Sequence, residues 1–223
     1  MKRVNLIFFL IIFLQSGLFG QTWDSSYQTT YYEQKVTLFR ALPDRAGEIV
    51  FLGNSITDMG EWSEIWQNNL VINRGISGDI TYGVLARMDE VLSAKPSKIF
   101  ILIGVNDVSR NTPDEVIVRN YNRIVERVEK ESPQTTVLVQ SILPTNDAFA
   151  RFKAHQGKTD HILSINAQLK EMCQKRGHVY VDLYPHFLNA DKKLDVKYTN
   201  DGLHLNGAGY LKWKQVLIDL KLM

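Results

Sequence analysis

Lys98-Ile99-Phe100-Ile101-Leu102-Ile103-Gly104-Val105-Asn106-Asp107 holds an unbroken apolar run, Ile99 to Ile103, that stops abruptly in glycine and short polar side chains. A strand with one face in water alternates apolar and polar residues, whereas a run without alternation suits a strand covered on both faces, as in a parallel sheet. The polar stop then lies at the strand's carboxyl end, which is where open α/β sheets collect their ligands.

Working outward, similar short runs rich in Val, Ile and Phe occur at Glu48 to Leu52, Val71 to Asn73, Thr136 to Ser141 and His178 to Leu183. With Lys98 to Ile103 they make five predicted strands. Between them the apolar spacing changes to that of a helix, the signature of βαβ units. Thr112-Pro113-Asp114-Glu115 predicts a helix start, with Thr112 as N-cap, Pro113 at the first helical position and Glu115 closing a capping box. Ile117, Tyr121, Ile124 and Val128 continue it to the stop at Ser132-Pro133. Ile162, Ile165, Leu169 and Met172 form a second apolar stripe, and Tyr210, Trp213, Leu217 and Leu220 a third. A helix is also expected from Thr81 to Leu92, an amphipathic segment from Tyr27 to Leu42 precedes the first strand, and the one long loop runs from Pro144 to Thr159. The expected architecture is an α/β fold, a three-layer α/β/α sandwich around a five-stranded parallel sheet.

The chain has 223 residues, 44% of them hydrophobic, enough for one domain with a full core. Its formal net charge of +2 is dispersed, with no basic run interleaved with aromatics, so nucleic acid is not an expected partner. Lys2 and Arg3 followed by the apolar stretch Val4 to Leu14 have the layout of a signal peptide. That run is shorter than the roughly 20 residues a membrane span needs. Residues 1–20 are therefore read as a leader, with Gly20 as the cleavage point, and residues 21–223 as the mature domain. The expected location is outside the cytoplasm, periplasmic or extracellular, with no stable membrane insertion after cleavage. The only cysteine, Cys173, lies in a helical stripe and reads as a small core residue.

The strand ends carry the chemistry. Gly53-Asn54-Ser55-Ile56-Thr57-Asp58 follows the first strand, Arg74-Gly75-Ile76-Ser77-Gly78-Asp79 the second and Gly104-Val105-Asn106-Asp107 the third, while Asp201 and His204 share the loop before the last helix. Acyl transfer needs a nucleophile, a base, a group that orients the base and donors aimed at a developing oxyanion. Ser55 supplies a hydroxyl, His204 a base and Asp201 its orienting carboxylate. The backbone N–H groups of Ser55 and Gly78 and the side-chain amide of Asn106 supply candidate oxyanion donors. Taken singly, each residue is ordinary turn or cap chemistry; it is their order along the chain that assigns them a common site.

Those ordered stretches resemble the blocks of the SGNH (GDSL-like) hydrolases. Gly53 to Thr57 is similar to the first block, Asn73 to Asp79 to the second, Gly104 to Asp107 to the third and Asp201-Gly202-Leu203-His204 to the last. The resemblance implies a flavodoxin-like SGNH hydrolase fold and a serine esterase, with acetylesterases and platelet-activating-factor acetylhydrolase-like enzymes among its relatives. The four name-giving residues fall on Ser55, Gly78, Asn106 and His204, and Asp201 is the third member of the triad. One departure is Asn54, where the family carries aspartate; it is expected to adjust the turn without removing catalysis. Ile56 and Thr57 do not fit the Gly-x-Ser-x-Gly elbow of α/β-hydrolases.

The expected activity is hydrolysis of carboxylic esters, with O-acetyl groups on carbohydrate or sialic-acid-like sugars as the favoured substrate. A lysophospholipase or short-chain lipid esterase is the alternative, followed by a catalytically inactive sugar-binding module. A small-molecule or glycan ester is the expected partner; no cofactor and no metal are expected. Asp58, Asp79, Asp107, Asp201 and His204 lack the spacing of a zinc site, and the chain has no phosphate-cradling glycine loop for a flavin. His155, His161, His178 and His186 read as surface or structural histidines without an identifiable partner. Phe149, Arg151, Phe152, Lys153 and His155 are expected either to wall the pocket or to form a solvated connection, and Arg110 to meet an anionic substrate or lie at the surface.

Overall fold

A computed structural model describes residues 23–223; the leader and its cleavage point, residues 1–20, lie outside them. The chain runs α1 (Thr30–Ala41), β1 (Ile49–Gly53), α2 (Ser55–Asp58), α3 (Trp62–Trp66), β2 (Val71–Gly75), α4 (Thr81–Ala86), α5 (Met88–Leu92), β3 (Lys98–Leu102), α6 (Val105–Ser109), α7 (Asp114–Glu131), β4 (Thr136–Gln140), α8 (Thr159–Arg176), β5 (Val179–Val181) and α9 (Gly207–Asp219). All five strands are parallel, in the order β2-β1-β3-β4-β5. This is the doubly wound order of flavodoxin-like folds, whose direction of winding reverses between β1 and β3.

The register sets the heights of the strand ends. Gly53 pairs with Gly75 on one side and Leu102 on the other, so the segments leaving β1, β2 and β3 emerge side by side. Ile99 to Ile103 is buried throughout, as the unbroken apolar run requires. Helices α4, α5, α7 and α8 contact one another in a row, while α3 packs on α9. Right-handed crossovers place such groups on opposite faces of a sheet. Over β1, the Phe51 ring stacks on Trp62 of α3, with centroids 3.9 Å apart, and Trp213 of α9 meets both rings edge-on. Cys173 is buried in α8, and burial pushes its thiol up to about 11.

Four local expectations need correction. Helix α7 begins one residue later than the capping box requires: the first helical turn bonds back to the carbonyl of Pro113, which occupies the N-cap position, and the Thr112 hydroxyl is buried without a hydrogen bond. The predicted helix from Thr81 to Leu92 is two helices, broken where Arg87 leaves helical geometry. Its guanidinium turns inward to Asp79 and to the carbonyls of Gly53 and Arg74. Leu220 lies beyond the end of α9 and is exposed, so it does not belong to the core stripe. A second long irregular segment, residues 182–206, joins β5 to α9 and is organised by two short 3-10 turns and the bridges Leu188–Leu194 and Thr199–Leu205.

Candidate active site

Ser55 is the first residue of α2, immediately after β1. The turn that presents it is capped by Asn54, whose side-chain oxygen accepts from the Ile56 N–H at 3.0 Å. An asparagine oxygen does this as well as a carboxylate oxygen, so the departure at position 54 preserves the cap. From β2, Asn73 donates to the carbonyls of Thr57, Asp58 and Gly60 and pins the far end of the same turn. Ser55 itself is only 7% exposed.

The segment 199–206 brings the other two residues to it. Asp201 Oδ1 accepts from the backbone N–H groups of Leu203, at 2.9 Å, and His204, at 2.8 Å, which folds the loop back on itself. Asp201 Oδ2 lies 2.8 Å from His204 Nδ1, and His204 Nε2 lies 2.9 Å from Ser55 Oγ. Burial works to raise the Asp201 carboxyl, but hydrogen bonds from the His204 ring and from the two backbone N–H groups outweigh it and hold the group below its ordinary value. An ionised Asp201 favours the tautomer with hydrogen on Nδ1, leaving Nε2 free to accept the proton of Ser55.

The candidate oxyanion donors leave the neighbouring strand ends of β1, β2 and β3. The Ser55 N–H lies in the first turn of α2, where helical N–H groups have no intrahelical acceptor. Gly78 follows β2 with φ +82°, and the space where a side chain would stand is open. Asn106 follows β3 in α6 and donates through Nδ2 to the carbonyl of Asp79 at 2.9 Å. Ser55 and Asn106 thus flank the point between β1 and β3 where the winding reverses, the expected ligand position for this strand order.

The residues weighed for a metal are committed elsewhere. Asp58 accepts from Lys35, Ser77 and Tyr31, Asp79 pairs with Arg87, and Asp107 accepts from the N–H and hydroxyl of Thr81. Among the described residues no group of three or more His, Cys, Asp or Glu side chains is placed to hold a metal. Arg110 bonds the carbonyl of Ser26 and reaches that of Gly78 at 3.4 Å, bracing the loop after β2.

Three histidines read as lacking partners have them. His161 meets Asp114 at 2.9 Å and His178 meets Glu129 at 2.8 Å, both near the surface. His155 is different, because its Nε2 lies 2.9 Å from Asn106 Oδ1. It belongs to the 144–159 connection, which therefore reaches the site. From the same connection the Phe152 ring stands edge-on to His204, with centroids 4.9 Å apart. Asn146 ties this connection to the His204 loop, its N–H donating to the carbonyl of Gly202 at 2.8 Å.

Residues 51–212 match the GDSL-like Lipase/Acylhydrolase family. The chain belongs to that family. By class it is an ester hydrolase. It is 27% identical over 175 residues to the platelet-activating factor acetylhydrolase IB subunit alpha2 of Rattus norvegicus, an alignment covering 76% of this chain and 73% of that protein. The alpha1 subunit of the same species is also 27% identical, over 179 residues, with 75% and 72% covered. Among solved structures, a GDSL-like lipase from Bacteroides thetaiotaomicron superimposes with a TM-score of 0.75 at 26% identity, covering 86% of this chain and 98% of that one. The matched segment contains Ser55, Gly78, Asn106, Asp201 and His204, so this acylhydrolase family spans every residue of the candidate site.

Proposed function

We propose that this acylhydrolase is an exported serine esterase that removes short acyl groups, acetyl above all, from carbohydrate or sialic-acid-like esters. The observation that carries the reading is the hydrogen-bonded chain from Asp201 through His204 to Ser55. Ser55 Oγ attacks the ester carbonyl carbon while His204 Nε2 takes its proton. The negative charge moves to the carbonyl oxygen and is stabilised by the N–H groups of Ser55 and Gly78 and the amide of Asn106. The carbon–oxygen bond to the alcohol breaks as His204 returns the proton to that oxygen, leaving an acyl-serine. A water molecule repeats the cycle, giving its proton to His204 and releasing the carboxylic acid.

The acetyl preference is supported by the acetylhydrolases among the relatives. The carbohydrate preference and export rest on the leader-like start at Lys2 to Leu14 and on family analogy. Hydrolysis of p-nitrophenyl esters from acetate to octanoate by wild type and Ser55→Ala tests the reading. Fastest cleavage of acetate, abolished by Ser55→Ala, supports it, whereas equal activity of the two proteins removes Ser55 from the mechanism. A preference for octanoate redirects the substrate to lipid esters.

A further inference from the structure

The amide of Asn106 has only one orientation that satisfies both of its neighbours. One end faces the backbone carbonyl of Asp79 and the other faces His155 Nε2, each at 2.9 Å. A carbonyl oxygen only accepts, so the amide nitrogen must face Asp79 and the amide oxygen must face the imidazole. Turning the amide over would set two carbonyl oxygens against each other. It follows that His155 presents a donor, Nε2–H, to Asn106 Oδ1.

We propose that His155 is a positioning residue for ester hydrolysis: its Nε2–H holds the Asn106 amide so that one N–H is bound by Asp79 and the other is aimed at the oxyanion. The proposal rests on the reading of Asn106 as an oxyanion donor. The surroundings of His155 keep it in the required form. Its Nδ1 is buried and has no hydrogen-bond partner among the described residues. Burial, and after it the neighbouring His204 and Arg110, lower its affinity for a second proton, and together they outweigh the opposing effect of the Phe152 backbone. The imidazole is held from both sides of its backbone: the His155 N–H donates to the carbonyl of Phe152 at 2.9 Å, and its own carbonyl accepts from the Thr145 hydroxyl at 3.2 Å. The Phe152 ring stands edge-on to both His155 and His204, with centroids 6.0 and 4.9 Å away. His155 thus acts on the oxyanion side of the site, while His204 handles the proton of Ser55. A donor on the amide oxygen also polarises the amide and strengthens its N–H groups as donors.

The test uses the purified full chain with p-nitrophenyl acetate, comparing wild type with His155→Phe, His155→Gln, Asn106→Ala and the Asn106→Ala/His155→Phe double variant. Loss of a whole oxyanion donor typically costs about 10²- to 10³-fold in turnover, so misaiming one is expected to lower kcat by roughly 10- to 100-fold with KM nearly unchanged. His155→Gln, which offers an amide donor at similar reach, should recover most of that loss. Adding His155→Phe to Asn106→Ala should bring no further loss, because both act through the same N–H. Losses that multiply in the double variant, or wild-type kcat in a folded His155→Phe, overturn the proposal. Nitrogen-15 correlation spectra of His155 give a readout independent of turnover and of how well the variants fold. The proton is expected on Nε2 through neutral pH, and finding it on Nδ1 overturns the proposal. An inactive wild type, by contrast, counts against the esterase reading alone.

Discussion

His204 Nε2 lies 2.9 Å from Ser55 Oγ although the two residues are 149 positions apart. The contact is made by two hydrogen-bonded pieces: a capped turn at the end of β1 and a loop folded around Asp201. Because Asp201 Oδ1 bonds backbone N–H groups while Oδ2 faces the imidazole, one carboxylate both shapes the loop and orients its histidine.

Those two tasks separate by substitution. Asp201→Asn can keep an oxygen on the Leu203 and His204 N–H groups but puts a neutral amide against the imidazole. Its thermal midpoint is expected to stay near that of wild type while turnover of p-nitrophenyl acetate falls by about 10⁴-fold, the loss seen when an orienting carboxylate becomes an amide. Asp201→Ala is expected to lose stability as well, because two backbone N–H groups lose their acceptor. Near-normal turnover in Asp201→Asn would leave the carboxylate a purely structural part.

Gly202 sits between them with φ +84°, and a β-carbon there would lie 2.4 Å from the carbonyl of Asn146 and 2.9 Å from the Phe149 ring. The left-handed backbone alone costs a non-glycine residue about 1–3 kcal/mol, and the clash with Asn146 adds to it. Gly202→Ala should therefore lower the thermal midpoint and also turnover, since it pushes apart the two connections that carry His204 and Phe152. Unchanged values for both would mean that the Asn146–Gly202 contact does not hold the loop.

The sheet was legible because a buried parallel strand needs an unbroken apolar run, and Ile99 to Ile103 supplies one. The residues after β1, β2 and β3 were legible because glycine and short polar side chains replace those runs abruptly. What escaped depended on distant partners. The break at Arg87 coincides with an inward guanidinium that bonds Asp79, Gly53 and Arg74, none of which changes the helical spacing of Thr81 to Leu92. His155 meets Asn106 across 49 positions from a loop without periodicity. The only local hint was the company of Phe152 three residues earlier in a connection already suspected of reaching the pocket. The capping box at Thr112 misled because Pro113, which has no N–H to satisfy, can itself stand at the N-cap.

Next in the chain to Asn106, the Asp107 carboxyl is buried at the head of α4, where it accepts from Thr81. Burial pushes it up to about 7 against these donors, from an ordinary value of 3.8. Between those values the unfolded chain has released a proton that the folded protein keeps. The folded state then binds more protons, so this group's contribution to stability is present below about pH 4 and is lost as pH rises through about 7. Asp79, raised to about 6 chiefly by burial and opposed by Arg87, acts with the same sign. The thermal midpoint of wild type is therefore expected to carry a downward component over this range. Asp107→Asn, which cannot titrate, should show a shallower decline, with the Asp79 part remaining. The comparison is of slopes, so a uniform loss of stability in the variant does not obscure it. Equal slopes in the two proteins would mean that Asp107 is already ionised in the folded state, held so by the Thr81 N–H and hydroxyl.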